Sequence, residues 1–221
     1  MIAMAYRDAV HASGVVTRPR PSKVEVRRAR VRRDMAHCAV TLMAAKGFGA
    51  TTVEEIARAA DYHPSSFFRY FSSKEDAVFI GIPEATDELR ATCDAIAEGD
   101  DAWTLVRAAA VEAVKHFTAS DPGFFADQFA LWLAAPALQA PLAAHFLVWE
   151  QIITAAFARA GGLPQPDLYT FVVGGAIVSI MRACVRAHDL DDDTFAHRVD
   201  RACLMLESGL SHPPPEGRAF S

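Results

Sequence analysis

Polar side chains recur on one face of a short segment beginning at Pro64, a residue that suits the first position of a helix. The members of this face are Ser65, Ser66, Arg69 and Tyr70. On the opposite face, Phe67 and Phe71 have the spacing at which two side chains meet on a helix. Hydroxyl groups donate hydrogen bonds to phosphates, and the Arg69 guanidinium can bridge both acceptors on a guanine edge. The spacing therefore predicts a helix that reads nucleic acid with one face and packs its aromatic side chains with the other.

The residues from Thr51 to Lys74 supply the elements that position this helix. Thr52 and Glu55 form a capping box. It starts an earlier helix with an apolar face made of Val53, Ile56, Ala57 and Ala60. The turn between the two helices is Asp61-Tyr62-His63. A further helix starts at Lys74, and a helix N-terminus favours anions such as phosphate. Two short helices around a tight turn predict a helix-turn-helix, a DNA-reading motif.

The order of residues in this region resembles the N-terminal DNA-binding domain of TetR/AcrR-type transcriptional regulators, over about residues 27 to 78. The resemblance is carried by Gly47-Phe48, Thr51-Thr52-Val53, Ile56-Ala57, Phe67, Phe71 and Lys74. It implies that the second helix of the motif enters the major groove of double-stranded operator DNA. The predicted DNA contacts are Thr52, Tyr62, His63, Ser65, Ser66, Phe68, Arg69, Tyr70, Lys74, Arg27 and Arg28.

Two positions depart from the family pattern. Phe68 stands where the family usually has tyrosine, so a phosphate hydrogen bond is lost. Asp61 stands where a turn glycine is usual, but aspartate tolerates a left-handed backbone better than most residues. We therefore expect the turn to form and the phosphate contact at Phe68 to be absent.

Charge is distributed unevenly along the 221 residues. Residues 1–75 carry 13 Lys and Arg against 7 Asp and Glu, a net charge of +6, and the remainder carries 9 against 20, a net charge of −11. A basic end joined to an acidic body concentrates attraction for DNA at the motif. The basic run is Arg18, Arg20, Lys23, Arg27, Arg28, Arg30, Arg32 and Arg33. Two interpretations stay open: an arm that lies along the DNA backbone or in a minor groove, and a solvated tail that only aids solubility.

Apolar residues recur at helical spacing between Gly, Pro and Asp breaks throughout the chain. The predicted fold is all-α, with an N-terminal three-helix helix-turn-helix domain and a larger C-terminal helical ligand-binding and dimerisation domain. The predicted segments are a disordered basic arm over 1–24, the DNA-binding domain over 25–73, the helical effector-binding and dimerisation domain over 74–210 and a disordered tail over 211–221. The Gly81-Ile82-Pro83 segment should split the helix that begins at Lys74.

The last two long predicted helices have the features of a homodimer interface. Residues 168–181 carry no charge, and Gly174-Gly175 in their middle favours close approach of another helix. DNA readers with this motif need a two-fold axis that places two motifs about one helical turn apart. The residues predicted at the interface are Gly174, Gly175, Val178, Phe195, Val199, Cys203 and Leu206. The alternative is that these helices form the core of the monomer.

Aromatic residues at helical spacing in the middle of the chain favour a small-molecule sensor. The predicted effector contacts are Phe117, Phe125, Gln128, Phe129, Trp132, His145 and Trp149. Ordinary core is the alternative for each of them. The resemblance implies an effector among these helices, so we expect an apolar or aromatic small molecule with Gln128, His116 or His145 as polar contacts. Its binding would tilt the helix that begins at Lys74 and move the two reading helices apart.

Other classes of protein are less well supported. The first 24 residues lack a basic start followed by an adequate apolar run, so we expect a cytoplasmic protein. The uncharged run 128–149 is long enough to cross a membrane, but Pro136, Pro141, Gln139 and His145 interrupt it. We therefore expect no membrane span.

An enzyme is the competing class, but the sequence contains no nucleophile elbow, Walker loop or dinucleotide-binding turn. The four cysteines lack metal-ligand spacing. The one compact set of possible ligands is interpreted as a solvated loop: His188, Asp189, Asp191, Asp192 and Asp193. We expect no enzymatic activity, no cofactor and no metal. The alternative function is a helical small-molecule-binding protein or enzyme with a non-functional helix-turn-helix. The family resemblance implies that the regulator acts as a repressor.

Overall fold

The computed structural model describes residues 22–118, 122–187 and 194–209, with the side chains of 116–118 and 122 left out. Within these ranges the chain forms α-helices and no β-strand, which confirms the all-α prediction. In chain order the helices are α1 (Lys23–Lys46), α2 (Val53–Ala59), α3 (Pro64–Phe67), α4 (Lys74–Val78), α5 (Ile82–Asp94), α6 (Ala102–Thr118), α7 (Pro122–Ala134), α8 (Pro136–Ala160), α9 (Leu168–Arg186) and α10 (Phe195–Glu207). Residues 1–21, the acidic run 188–193 and the predicted tail lie outside the described residues.

The chain divides into two compact units, residues 1–87 with 117–148 and residues 88–116 with 149–221. The first unit contains the helix-turn-helix together with α7, which packs along α1. The second unit contains α9 and α10, which pack on each other. The functional boundaries at residues 25, 74 and 211 rest on the sequence pattern and stay predictions.

The first helix begins earlier than expected because Ser22 caps it. The Ser22 hydroxyl accepts a hydrogen bond from the Glu25 N–H at 3.2 Å, and the Glu25 carboxylate accepts one from the Ser22 N–H at 2.7 Å. Lys23, which belongs to the predicted arm, is therefore the first helical residue. The helix thus includes Lys23 and Val24, two residues of the predicted arm, and the domain boundary stays a prediction. A truncation that tests the arm should keep Ser22.

Buried apolar side chains hold the short helices of the first unit together. They include Val31, Met35, Ala39, Val40, Met43, Ile56, Phe67, Phe71, Val78, Phe129 and Trp132. Helices as short as α3 and α4 are not stable alone, since isolated helices below about 12 residues are marginal in water. Fully burying one side chain of this size contributes about 1.5–3 kcal/mol. Packing rather than helix propensity therefore fixes the position of the motif.

The predicted break after α4 is present. That helix ends at Val78 and α5 begins at Ile82, with Gly81 between them at a φ of +89°. Glycine is the residue that adopts this left-handed backbone without a steric penalty. Pro83 lies at the second position of α5, where a missing N–H removes no intrahelical bond. The split is therefore encoded locally by the glycine and proline.

The second unit has its own core. Its buried members are Val111, Val114, Cys184, Ala196, Val199 and Cys203, with Trp103, Trp149, Ile180, Phe195 and Ala202 packed against them. Gly174 lies where α9 meets α8: a Cβ added there would collide with the Thr154 hydroxyl and stand 3.3 Å from the Glu150 carbonyl oxygen. The glycine thus permits close packing inside this unit, so the expected close helix approach is intramolecular.

Two helices, α8 and α9, are long and apolar enough to cross a membrane when judged by length and composition alone. Both also contribute buried side chains to the second unit, for example Ile153 and Met181. The core helices of soluble proteins meet the same criterion.

Candidate nucleic-acid interface

The predicted reading helix, α3, is short. It covers four residues, Pro64–Phe67. After Phe67 the backbone tightens, because the N–H of Arg69 bonds to the Ser66 carbonyl at 3.2 Å and that of Tyr70 to the Phe67 carbonyl at 2.9 Å. Such bonds to the third preceding residue are typical of a 3₁₀ turn at a helix end. The segment from Pro64 to Phe71 nevertheless keeps one inward and one outward face.

The inward face is aromatic, as predicted. Phe67 is 0% exposed and Phe71 is 3% exposed, and their ring centroids lie 5.1 Å apart. Ser65, Phe68 and Arg69 are exposed on the outward side, whereas Ser66 and Tyr70 are half-buried. Arg69 therefore has the outward orientation that base reading requires.

The turn before α3 has the predicted left-handed residue. Asp61 has a φ of +62°, and the Tyr62 N–H reaches back to the Ala57 carbonyl at 2.8 Å. This is a Schellman-type helix end, in which glycine is the usual residue. The expectation that Asp61 replaces the turn glycine is confirmed. Tyr62 itself is half-buried.

His63 has a local role that the sequence analysis missed. Its ring Nδ1 accepts a hydrogen bond from the Ser65 N–H at 3.3 Å and lies 2.8 Å from the Ser65 hydroxyl, so His63 caps α3. A residue directly before a proline that begins a helix is the N-cap by position. The position of His63 before Pro64 therefore predicts its capping role. Both side chains stay exposed, so His63 and Ser65 remain predicted DNA contacts.

Lys74 is tied to the loop that leads into α2. Its ammonium donates hydrogen bonds to the carbonyls of Phe48 at 2.8 Å and Thr51 at 3.1 Å, and it lies 4.3 Å from the centroid of the Phe48 ring. The neighbouring Thr52 is exposed, and its hydroxyl accepts from the Glu55 N–H at 3.2 Å. The predicted phosphate ligand Lys74 thus holds the loop that presents Thr52. Sequence reasoning missed this contact because the partners are more than twenty residues away.

The predicted backbone-contacting arginines lie on α1. Arg27 and Arg28 are exposed, in agreement with a role at a DNA surface. Arg32, part of the same basic run, is used internally: it pairs with Glu84 at 2.7 Å and lies 5.6 Å from the centroid of the Phe71 ring. Arg32 therefore supports the motif by contacting Phe71 on the buried side of the segment that follows α3.

The capping box of α2 is reinforced by an ion pair. The Glu55 carboxylate accepts from the Lys46 ammonium and, at 2.9 Å, from the Thr52 N–H. These two interactions, Lys46 first, lower the pKa of Glu55 from 4.5 to about 2. The carboxylate is therefore ionised at neutral pH and fixes the start of α2 next to the end of α1.

The predicted effector residues of the first unit gather near the end of α4. Trp132 Nε1 donates to the Val78 carbonyl at 3.2 Å, and the Gln128 amide donates to the same carbonyl. The ring centroids of Phe129 and Trp132 lie 5.1 Å apart, and those of Phe125 and Phe129 lie 6.4 Å apart. All four side chains are more than nine-tenths buried. This burial is what we expect if they belong to the ordinary hydrophobic core, the alternative to effector contacts.

His145 is half-buried in the first unit, and its ring centroid lies 5.0 Å from that of Phe79. Burial lowers its pKa from 6.5, and the negative charge of Asp76 opposes that shift. Trp149 lies in the second unit against the core defined above. The side chains of Phe117 and His116 are outside the described residues.

The predicted dimer residues separate into two groups. Val178, Val199 and Cys203 are 0% exposed within the single chain, and Gly174 is buried against Thr154. A side chain without exposed surface offers no contact to a partner. These four residues therefore belong to the core of the single chain. Gly175, Phe195 and Leu206 are half-buried and retain exposed surface.

An apolar stripe that the sequence analysis did not single out lies on α9. Its members are Leu168, Phe171 and Val172, which are 80%, 55% and 60% exposed, followed by Gly175 one turn later. This spacing places the four residues on one helical face. Tyr169 beside them is 63% exposed.

The described residues contain no group of three His, Cys, Asp or Glu side chains placed to hold a metal ion. The His188 cluster lies outside them. Cys93, Cys184 and Cys203 are buried free thiols. Burial raises the pKa of Cys93 and Cys203 to about 12, so neither is ionised at neutral pH, and a thiol rather than a thiolate is a poor nucleophile.

Comparison with known proteins decides the family. A family model for bacterial regulatory proteins of the tetR family matches residues 37–78, and a model for the MftR C-terminal domain matches residues 100–211, about half of the chain. The chain belongs to the TetR family. A TetR-family member with an intact helix-turn-helix is a DNA-binding transcriptional regulator, and the family's regulators bind operator DNA.

Individual TetR-family relatives cover the chain to different extents. The HTH-type transcriptional regulator TcmR of Streptomyces glaucescens is 37% identical over 84 residues, which is 37% of each chain. The putative mycofactocin biosynthesis transcriptional regulator MftR of Mycobacterium tuberculosis is 26% identical over 178 residues, 80% of this chain and 89% of the relative. Thermus thermophilus FadR, a transcriptional repressor solved in complex with lauroyl-CoA, has the same fold with a TM-score of 0.51, 19% identity and coverage of 85% and 99%.

Proposed function

We propose that this TetR-family regulator is a repressor that reads a near-palindromic operator with the outward face of α3. One observation carries the proposal: Arg69 is exposed while Phe67 and Phe71, on the other side of the same segment, are buried. A guanidinium held on a fixed backbone can bridge the two acceptors of a guanine in the major groove. Ser65 on the same face adds a donor for a phosphate or a base edge.

Phosphate contacts come from the elements around the reading helix. Arg27 and Arg28 are exposed on α1, and Thr52 is exposed at the start of α2. Contacts of this kind set the register of the protein on the duplex and carry no sequence information themselves. In this proposal Tyr62, His63 and Tyr70 contribute at the edges of the surface, and Lys74 acts mainly by holding the loop before Thr52.

Two copies form the functional unit, because a palindromic operator requires a two-fold axis. The exposed apolar stripe on α9 is the surface that supports this step, together with the partly exposed Phe195 and Leu206 of α10. Four large apolar side chains exposed within five consecutive residues are unusual for an uncovered monomer surface.

The effector is an apolar or aromatic small molecule that acts through α7. The aromatic cluster around Phe129 and Trp132 supports an apolar ligand group, and the acyl chain of the lauroyl-CoA in complex with Thermus thermophilus FadR is an example of such a group in a protein of the same fold. Shifting an equilibrium from 1:99 to 99:1 needs about 5.5 kcal/mol of differential binding. Any ligand must therefore prefer the released form by that amount to switch the protein fully.

The DNA-binding part is tested with Arg69→Ala and the matched control Arg90→Ala, an arginine exposed on α5. Protection mapping upstream of the reading frame identifies the operator, and titration of that duplex at constant moderate salt gives the affinity. We expect Arg69→Ala to lose about 1–3 kcal/mol and to relax one position of the site. The control should bind like the wild type. Equal affinity of both variants would contradict the assignment of Arg69.

The effector part is tested by titrating lauroyl-CoA, and separately free laurate, into the complex of wild-type protein and operator. Release of DNA by the acyl compounds supports the ligand class, and DNA binding that is indifferent to both contradicts it. Catalytic turnover or tight ligand binding by a protein that binds no DNA would favour the alternative, a helical ligand-binding protein or enzyme with a non-functional motif.

A further inference from the structure

Phe68 places an aromatic ring on the outward face of the reading segment. The side chain is 62% exposed. Ser65, Phe68 and Arg69 have the spacing i, i+3 and i+4, and the αR backbone of Phe68 (φ −68°, ψ −5°) keeps them on one side. Phe68 thus lies on the same side of the segment as the two polar groups that are proposed to face the bases. An apolar ring in this position has no hydrogen bond to offer a phosphate.

The ring is held in place from behind. Its centroid lies 5.6 Å from that of Phe67 at an interplanar angle of 84°, an edge-to-face contact of the kind that aromatic pairs prefer. Phe67 is fully buried and packs in turn against Phe71. A contact of this kind restricts the ring, which lowers the conformational entropy lost when it meets a binding partner.

The major groove offers one apolar group on a base edge, the C5-methyl of thymine. We propose that Phe68 is a specificity-determining residue that packs its ring against a thymine methyl, close to the base contacted by Arg69. The inference rests on the proposed function, because it needs α3 to enter the major groove. It adds a requirement for thymine at one base pair of each half-site. It also gives a role in base reading to the phenylalanine that replaces the family's usual tyrosine at residue 68.

The test uses the full-length protein and the operator found by protection mapping. Each thymine of one half-site is replaced in turn by deoxyuridine, which pairs identically but lacks the methyl group. Burial of one methyl-sized group corresponds to about a fourfold change in affinity. We expect wild-type affinity to fall by about that factor at one thymine. Phe68→Ala should bind the unmodified operator more weakly and show no further loss with deoxyuridine at that position.

Two further variants separate base reading from other effects. Phe68→Leu keeps an apolar side chain and should retain part of the discrimination between thymine and deoxyuridine. Arg69→Ala should bind more weakly but keep the deoxyuridine effect, because a different side chain reads the methyl. Melting curves of each variant check the fold, and Phe68 is exposed enough for Ala or Leu to leave it intact.

The outcomes distinguish this inference from the proposed function. Wild-type protein that binds the operator but responds to deoxyuridine at no position would overturn the role of Phe68 and leave the regulator intact. A deoxyuridine effect that persists in Phe68→Ala would assign the methyl to another residue and equally overturn it. Absence of operator binding by the wild type would instead contradict the proposed function.

Discussion

The side-chain amide of Gln128, on α7, donates a hydrogen bond to the backbone carbonyl of Val78, the last residue of α4. The same amide lies 3.5 Å from the Ile80 carbonyl, and Trp132 donates to Val78 from one turn further along α7. Two side chains of the predicted sensor helix therefore hold the short helix that begins at Lys74. Both sets of residues belong to the first unit. The contact gives the proposed effector response a physical route to the DNA-reading elements.

Replacing Gln128 by Leu removes this amide from both carbonyls. We expect a loss of about 1 kcal/mol in the free energy of unfolding, the usual net value of a hydrogen bond, measured by denaturant titration. Hydrogen exchange at residues 74–80 should become faster. Gln151→Leu, at an exposed glutamine of α8, is the matched control and should change neither quantity. Unchanged exchange at 74–80 in Gln128→Leu would show that α7 does not hold this helix.

Replacing Pro83 by Ala tests the break between α4 and α5. Pro83 is exposed and interrupts no helix bond, so the variant should fold normally. A more continuous α4–α5 segment should alter the transmission of effector binding, and we expect the ratio of DNA affinities without and with effector to change more than the DNA affinity itself. Reporter induction and DNA titration measure the two quantities. A fall in operator affinity at a constant induction ratio would argue against the hinge.

Replacing Lys74 by Ala should weaken binding to all DNA sequences alike, because the residue holds the loop before Thr52. The two hydrogen bonds to Phe48 and Thr51 are lost together, so the melting temperature should fall as well. The slope of log affinity against log salt decides between two roles: it should stay unchanged if Lys74 only positions the loop. A slope that becomes less negative by about 0.9 would identify one lost phosphate contact.

The depressed pKa of Glu55 predicts a pH dependence of stability. A carboxyl whose pKa is about 2 when folded and near 4.5 when unfolded stabilises the fold fully above pH 4.5. That stabilisation is lost as the pH falls from 4.5 towards 2. Melting temperatures of the wild type and Glu55→Gln should therefore differ at pH 7 and converge on acidification. Glu54→Gln, at the neighbouring glutamate, should follow the wild type throughout, and a gap that persists in acid would contradict the ion-pair explanation.

Replacing Phe171 by Glu places a charge in the exposed apolar stripe of α9. Burying an unpaired charge in an interface is costly, so we expect the variant to be a monomer of 24.0 kDa when the wild type is a dimer. Light scattering after gel filtration measures the mass. Leu147→Glu, at a leucine that is 53% exposed in the first unit, is the control and should remain dimeric. A dimeric Phe171→Glu would place the interface elsewhere.

Elements whose causes are local could be predicted from the residues alone. Pro64 begins the reading helix, Phe67 and Phe71 lie on its buried side, Asp61 takes the left-handed position and Gly81 breaks the helix that begins at Lys74. In each case the deciding interactions lie within a few residues of the chain, because they depend on the steric limits of the backbone and on the helical period. Phe67 and Phe71 also belong to the residues that carry the family resemblance, so part of that resemblance rests on local causes.

The groups that cover each helical face could not be predicted in this way, because they come from distant parts of the chain. Helical spacing marks the apolar side of α9 and α10, but it does not say that Val178, Val199 and Cys203 face the chain's own core while Phe171 and Val172 stay exposed. Nor does it pair an ammonium or an amide with carbonyls tens of residues away, as happens at Lys74 and Gln128. The physical reason is that periodicity fixes the direction of a side chain relative to its own helix, whereas its partner depends on how distant segments pack.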